Sequence, residues 1–172
     1  LRFANGDPNN DQDVDPNDPQ AFHGGDWQGI IGKLDYLKDL NVDCVWISCP
    51  YEAQRDFLGI SGFHGYWPND FQKTEPNFGD RDKLRELVKE AHDRGIKVML
   101  DVVLNHTSYG HPFTTDPEKK SWFNANGNIS GLGQSSMENG SLCGLPDLNQ
   151  NNPEVKRHLI EIHKDWLQDV DA

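Results

Sequence analysis

Apolar residues along this chain come in short bursts, and their spacing alternates between two periods. After a polar stretch at 5–20, Ile30, Ile31, Leu34, Leu37 and Leu40 recur at helical intervals. Asp26 precedes them as an N-cap, because its carboxylate can accept from the amides of a first turn. Asn41 is placed to stop the same helix. "DCVWIS" (43–48) then predicts a strand buried on both faces, with Cys44 in the core. Residues 50–79, rich in Gly, Pro and aromatics, predict a long irregular segment. Asp80 caps a second helix with Leu84, Leu87, Val88 and Ala91 on one face and Gly95 as its left-handed stop. "IKVMLDVVL" (96–104) predicts another buried strand, and 107–152 another irregular stretch. Pro153 opens a last helix that aligns Val155, Leu159, Ile162 and Trp166.

Helix, strand, long loop, helix, strand, long loop, helix is the order of parallel βα units, so the predicted class is α/β. In such folds the functional groups gather at the C-terminal ends of the strands. Both long loops leave from that end. They exceed the roughly 12–15 residues beyond which a loop is usually functional or disordered. Their Trp, Tyr, Phe and His content favours function.

Composition narrows the choice. The chain has 172 residues, 28 acidic against 16 basic, and a formal charge of −12. That charge argues against a nucleic-acid partner, which needs clustered Lys and Arg. No apolar run reaches the roughly 18 residues that span a bilayer, so no membrane partner is expected. Cys44, Cys49 and Cys143 show no zinc-site spacing.

The candidate chemistry lies where the second strand ends. Asp101 interrupts an apolar run, and Asn105 and His106 follow just past it. A buried carboxylate there must be hydrogen-bonded or paired. It is either part of a site or the cap of a neighbouring loop. "NGDPNNDQD" (5–13) is a second cluster, dense in oxygen donors. It is not an EF-hand. Counted from Asp7, the sixth residue is Gln12 rather than Gly and the twelfth is Asp18 rather than Glu. It reads as a solvated loop or as a calcium loop.

"DVVLNH" (101–106) resembles the first signature region of the α-amylase family, glycoside hydrolase family 13. "RFANGDPNND" (2–11), "GGDWQGI" (24–30), "GFHGYWPNDF" (62–71) and "LPDLN" (145–149) resemble further family segments, in the family's order. The resemblance covers essentially the whole chain. It implies the N-terminal part of a (β/α)8 TIM barrel with a domain B insertion after the third strand. The implied divisions are 1–104 for the first three β/α units, 105–152 for domain B and 153–172 for the third barrel helix, ending before the fourth strand. A whole barrel needs about 250 residues. The opening "LRFANG", without an initiating Met, suggests that the true N-terminus lies upstream. Three open barrel units are expected to be poorly soluble alone.

The implied activity is retaining hydrolysis or transfer at α-glucosidic bonds, the work of two carboxylates. In the family these sit on later strands. The 172 residues are therefore expected to hold no catalytic carboxylate and to be inactive alone. Their implied contribution is to bind an α-glucan or maltooligosaccharide. Tyr66 would stack on a sugar ring, since an aromatic face packs well against pyranose C–H groups. His64, His106 and Asp101 match positions around the same subsite, His106 donating to a sugar hydroxyl and Asp101 holding the polar network. Trp67 reads equally as a binding or a packing residue.

The resemblance also implies Ca²⁺. A first site would use Asn5, Asp7, Asn10, Asp11, the Gly24 carbonyl and Asp26, as in the cyclodextrin glucanotransferase branch. Asn5 stands where that branch has Asp, and Asp7 and Asp11 where it has Asn. A second site, joining domain B to the barrel, would use Asn105, Asp147 and a carbonyl near Ser141. Two calcium sites imply a secreted protein. The rival reading is a non-catalytic relative that serves as a carbohydrate-binding or transporter-associated module. Intact Tyr66, Asp101, Asn105 and His106 favour the enzyme.

Overall fold

A computed structural model describes residues 3–11 and 14–172, apart from the side chain of Asn10; Leu1, Arg2, Gln12 and Asp13 lie outside the described residues. The elements run α1 (Trp27–Ile31), α2 (Leu34–Asp39), β1 (Cys44–Ile47), β2 (Tyr51–Ala53), β3 (Pro68–Thr74), α3 (Arg81–His92), β4 (Lys97–Leu100), α4 (Gln134–Asn139) and α5 (Pro153–Trp166).

Asp26 caps α1 as expected, accepting from the Gly29 amide. The single predicted helix is nevertheless two, broken at Gly32–Lys33. Glycine weakens a helix by about 1 kcal/mol per residue relative to alanine, and this segment carries Gly29 and Gly32. Gly29 is required, because a Cβ there would meet the Ala4 carbonyl oxygen at 2.1 Å. Leu40, past the end of α2, is exposed. Asn41 turns the chain with a left-handed φ of 57°.

β1 and β4 pair in parallel, Cys44 opposite Lys97 and Ile47 opposite Leu100. Burial of the 43–48 strand on both faces, with Cys44 in the core, is not what is found. Val45, Ile47, Val98 and Leu100 pack on the core that includes α3 and α5. Cys44, Trp46, Lys97 and Met99 point to solvent, with Trp46 73% exposed. Side chains alternate across a strand, and in this chain only one face of the sheet is covered. The segment read as irregular also contains an antiparallel pair, β2 with β3. β3 escapes a hydropathy reading because Asn69, Asp70, Gln72 and Lys73 surround its one large apolar residue, Phe71.

The other two helices match their sequence signals. Asp80 caps α3 through the Lys83 amide at 2.8 Å, and Asn152 caps α5 through the Glu154 amide at 2.9 Å. Leu84, Leu87, Val88 and Ala91 of α3 are buried, as are Val155, Leu159, Ile162 and Trp166 of α5. Arg81 joins the two helices. It donates to Asp169 (2.6 Å) and Asp165 (2.5 Å), with its guanidinium 4.4 Å from the Trp166 ring centroid. Asp171 and Ala172 run beside β4, with Asp171 N–H donating to Val98 O (3.0 Å) and Leu100 N–H to Ala172 O (2.8 Å).

Residues 105–152 leave after β4 and return beside their own starting point. His106 bridges Asp147 and Phe123 bridges Leu148. Leu148 N–H donates to Asn105 O at 2.8 Å, closing the base of the lobe. Among the described residues, no helix is long and apolar enough to cross a membrane.

Candidate functional site

Asp101 follows β4 directly, and its amide extends the ladder by donating to Ile47 O at 2.9 Å. The Tyr66 hydroxyl donates to Asp101 Oδ2 at 2.6 Å. That bond is the main reason the Tyr66 phenol is pushed up to about 12. The phenol therefore stays protonated and keeps donating across the physiological range. Tyr66 is 48% exposed, whereas a ring placed for core packing would be covered. Gly65 lets the turn settle on the end of β1. Its φ is 81°, and a Cβ there would sit 3.0 Å from Cys49 Cβ.

Two imidazoles flank this pair and are used differently. His106, 7% exposed, donates Nε2–H to the Tyr66 carbonyl at 2.9 Å. Burial holds its pKa below the ordinary histidine value, so the ring is neutral and this nitrogen is engaged within the protein. His64 accepts the Tyr66 amide at Nδ1 (2.9 Å) and stacks on the Tyr66 ring, with centroids 5.9 Å apart and planes 16° apart. Burial lowers its pKa as well. Neutral His64 thus carries its proton on Nε2, and among the described residues no acceptor takes it. Trp67 meets His64 (4.7 Å, 90°), Phe57 (6.0 Å) and Tyr109 (5.5 Å) in T-shaped contacts, so it packs within the cluster.

Three residues of this neighbourhood carry no sequence signal of their own. Phe57 and Tyr109 stack face to face at 3.7 Å and 6°. The Tyr109 hydroxyl donates to Cys143 O at 2.9 Å, tying the lobe to the cluster. Asn124 donates to Asp147 Oδ2 at 2.8 Å across 23 residues of chain. Phe57 lies in a stretch with no periodicity. Tyr109, three residues after His106, could have been noticed by proximity alone.

The predicted calcium residues fall into separate groups. Asn5 donates to Asp11 Oδ2 at 2.7 Å, and a Cβ on Gly24 would meet both residues, so Asn5, Asp11 and Gly24 converge. Asp11 Oδ1 is buried without a partner. An unsatisfied buried carboxylate oxygen is what a cation would stabilise. Asp26 instead accepts backbone amides from Gly6, Asp7 and Gly29, and Asp7 accepts from Asn9. The Asn10 side chain lies outside the described residues. At the base of the lobe, Asn105 donates to Asp147 Oδ1 at 3.1 Å. Burial pushes the Asp147 carboxyl up. Ser141 is elsewhere, its carbonyl accepting from Ile129 N–H at 3.1 Å. Among the described residues, no three His, Cys, Asp or Glu side chains converge on one point. A calcium ion at either place would therefore depend on amide and carbonyl oxygens.

The sequence profile of the alpha amylase catalytic domain matches residues 1–129. The beta/alpha-amylase of Paenibacillus polymyxa is 40% identical over 97% of this chain, which spans 14% of that protein's length. A cyclomaltodextrin glucanotransferase of Klebsiella oxytoca is 33% identical over 99% of the chain, which spans 30% of its length. Among solved structures, an Anoxybacillus alpha-amylase superposes with a TM-score of 0.92 at 50% identity. It covers 99% of this chain, which amounts to 37% of that one.

Proposed function

The chain belongs to the alpha-amylase catalytic-domain family of glycoside hydrolases, and from that membership we propose that it forms the substrate-binding side of an α-glucan-acting hydrolase or transglycosidase. The observation that carries this reading is the exposed Tyr66 ring held by Asp101 at the end of β4. A fixed, open aromatic face orients a pyranose ring. Asp101 sets the tilt of that face, and His106 steadies it from beneath through the Tyr66 carbonyl. His64 offers Nε2–H to a sugar hydroxyl. His106 reaches a hydroxyl only where the sugar competes with the Tyr66 carbonyl for the same proton.

Residues 105–152 act as domain B, the lobe that walls the cleft, and 153–172 as the following barrel helix. The two carboxylates of a retaining mechanism are not among the residues assigned here, so the role of this stretch is to bind and orient. Where calcium binds, Asn5, Asp11 and the Gly24 carbonyl would hold one ion and Asn105 with Asp147 a second. The ion would supply structural cross-linking of the loops. Dependence on calcium accords with a protein working outside the cytoplasm.

The test is Tyr66→Ala in the full-length protein. The efficiency (kcat/KM) on maltooligosaccharides should fall roughly tenfold to a hundredfold, the worth of a buried aromatic contact. The thermal midpoint should move little, because the ring is half open to solvent. Unchanged activity would remove Tyr66 from the site. Binding without any turnover in the parent protein would favour the non-catalytic module instead.

A further inference from the structure

The sequence contains three Asn-Gly pairs, Asn5-Gly6, Asn126-Gly127 and Asn139-Gly140. In such a pair the glycine nitrogen can attack the side-chain carbonyl carbon of the asparagine, because no Cβ on the glycine stands in the way. The reaction needs that N–H free of other partners and a backbone able to close the ring. By local sequence the three pairs are equivalent. The fold makes them unequal.

Gly6 N–H donates to both oxygens of buried Asp26 at 3.1 Å, and a Cβ on Gly6 would lie 2.4 Å from the Gly29 nitrogen. That pair is both bonded and packed. Asn139 ends α4, where its side-chain amide donates to Ser135 O at 3.0 Å. Gly140 behind it is buried, and a Cβ there would lie 2.6 Å from Ser136 O. Asn126 and Gly127, by contrast, are exposed. Among the described residues the Gly127 N–H has no acceptor, and a Cβ on Gly127 would meet nothing within 4 Å.

The Asn126 side chain also holds the lobe together. Its Nδ2 donates to the Asn139 carbonyl at 3.1 Å. Beside that tie, Ser141 N–H donates to Gly127 O at 2.8 Å and Ile129 N–H to Ser141 O at 3.1 Å. The three bonds join residues 126–129 to 139–141.

We infer that Asn126 is the asparagine that the fold leaves open to spontaneous deamidation, and that its conversion loosens residues 126–141. The Gly127 nitrogen forms a bond to Asn126 Cγ and loses its proton. The Cγ–Nδ2 bond breaks, and ammonia leaves with a proton in exchange. Water then opens the cyclic imide at either carbonyl, giving aspartate or isoaspartate. The sum is asparagine plus water to carboxylic acid plus ammonia. An ionised carboxylate has no hydrogen to donate to the Asn139 carbonyl, so both products lose the side-chain tie. In isoaspartate the main chain also runs through Cβ, which displaces Gly127 O from Ser141. The inference does not depend on the α-glucan reading.

The test ages the full-length protein in mildly alkaline buffer and reads conversion at each asparagine by peptide fragmentation in a mass spectrometer. Asn126 should convert first. Asn5 should lag roughly tenfold to a hundredfold, the cost of first freeing an amide bonded to a carboxylate. Asn139 should lag as well, and in guanidinium chloride the three rates should draw together. Hydrogen exchange in the aged protein should quicken at Ile129 and Ser141 but not in α3 or α5. Asn126→Asp should show that faster exchange without ageing. Asn126→Gln, which forms a cyclic imide far less readily, should not change with age. Slower or equal conversion at Asn126 overturns the site, as does a ranking that guanidinium chloride leaves unaltered. Conversion without faster exchange overturns the loosening.

Discussion

Asp26 and Asp147 are both buried carboxylates, 0% and 1% exposed, yet they are satisfied by different kinds of donor. Asp26 takes backbone N–H groups from Gly6, Asp7 and Gly29, which pins the N-terminal loop to the start of α1. Asp147 takes side-chain amides from Asn105 and Asn124 at the base of the lobe. Backbone donors cannot turn away, so Asp26 is committed to the fold. An asparagine amide can rotate its oxygen into the place of its nitrogen, so the Asp147 cluster can exchange its internal bonds for bonds to a cation. The contrast separates a polar cluster that makes structure from one that retains a choice of partner.

The sharpest way to break this comparison is Asp26→Ala. It leaves three amides without their acceptor, and each unsatisfied buried donor costs about 1–3 kcal/mol. The variant should lose about 4 kcal/mol in urea unfolding. A loss no larger than that of an ordinary helix cap, about 1 kcal/mol, would show that solvent replaces Asp26 easily.

The next effect is on the lobe side and depends on pH. His111 accepts the Phe113 amide at Nδ1 (3.1 Å), and burial pulls its pKa down to about 4 from 6.5. The unfolded chain therefore binds this proton more readily than the folded one. The stabilisation is complete above about pH 6.5, declines as pH falls and is gone below about pH 4, with at most about 3 kcal/mol at stake. Hydrogen exchange should show residues 111–123 loosening across that window while the Asp26 loop stays protected, and His111→Gln should flatten the dependence. Equal loosening of both regions would remove the distinction between them.

The smallest effect sharpens the comparison most. Asp147→Asn keeps the shape of the side chain and should cost about 1 kcal/mol in chelator, one hydrogen bond's worth. Millimolar calcium should raise the thermal midpoint of the parent protein and raise that of Asp147→Asn less. The same midpoint shift in both would exclude Asp147 as a ligand.

Much of the scaffold was readable because its signals are local. Asp80 with Leu84, Leu87, Val88 and Ala91, and Asn152 with Val155, Leu159, Ile162 and Trp166, announce a cap and a buried face within a few turns. The same reading failed for Trp46 and Cys44, since a short apolar run does not say whether one sheet face or two will be covered. It missed β3, whose apolar period is hidden by polar residues. Tyr66, Asp101, Asn105 and Asp147 were singled out from their segments, and the structure brings them into two hydrogen-bonded pairs. Phe57, Tyr109 and Asn124 were not, because their partners are 52, 34 and 23 residues away.

The amino-acid sequence by itself determined where helices begin and stop, which of their faces are apolar, and which residue types stand at the end of the second parallel strand. These depend on interactions within about four residues. Only the tertiary structure decided that His106 spends its Nε2 proton on the Tyr66 carbonyl, that the Tyr66 amide occupies His64 Nδ1, and that a leucine with left-handed backbone stands at a hairpin tip. The reason is physical: hydrogen-bond partners and exposure are set by what other parts of the chain bring to the same place, and no local pattern encodes that neighbour.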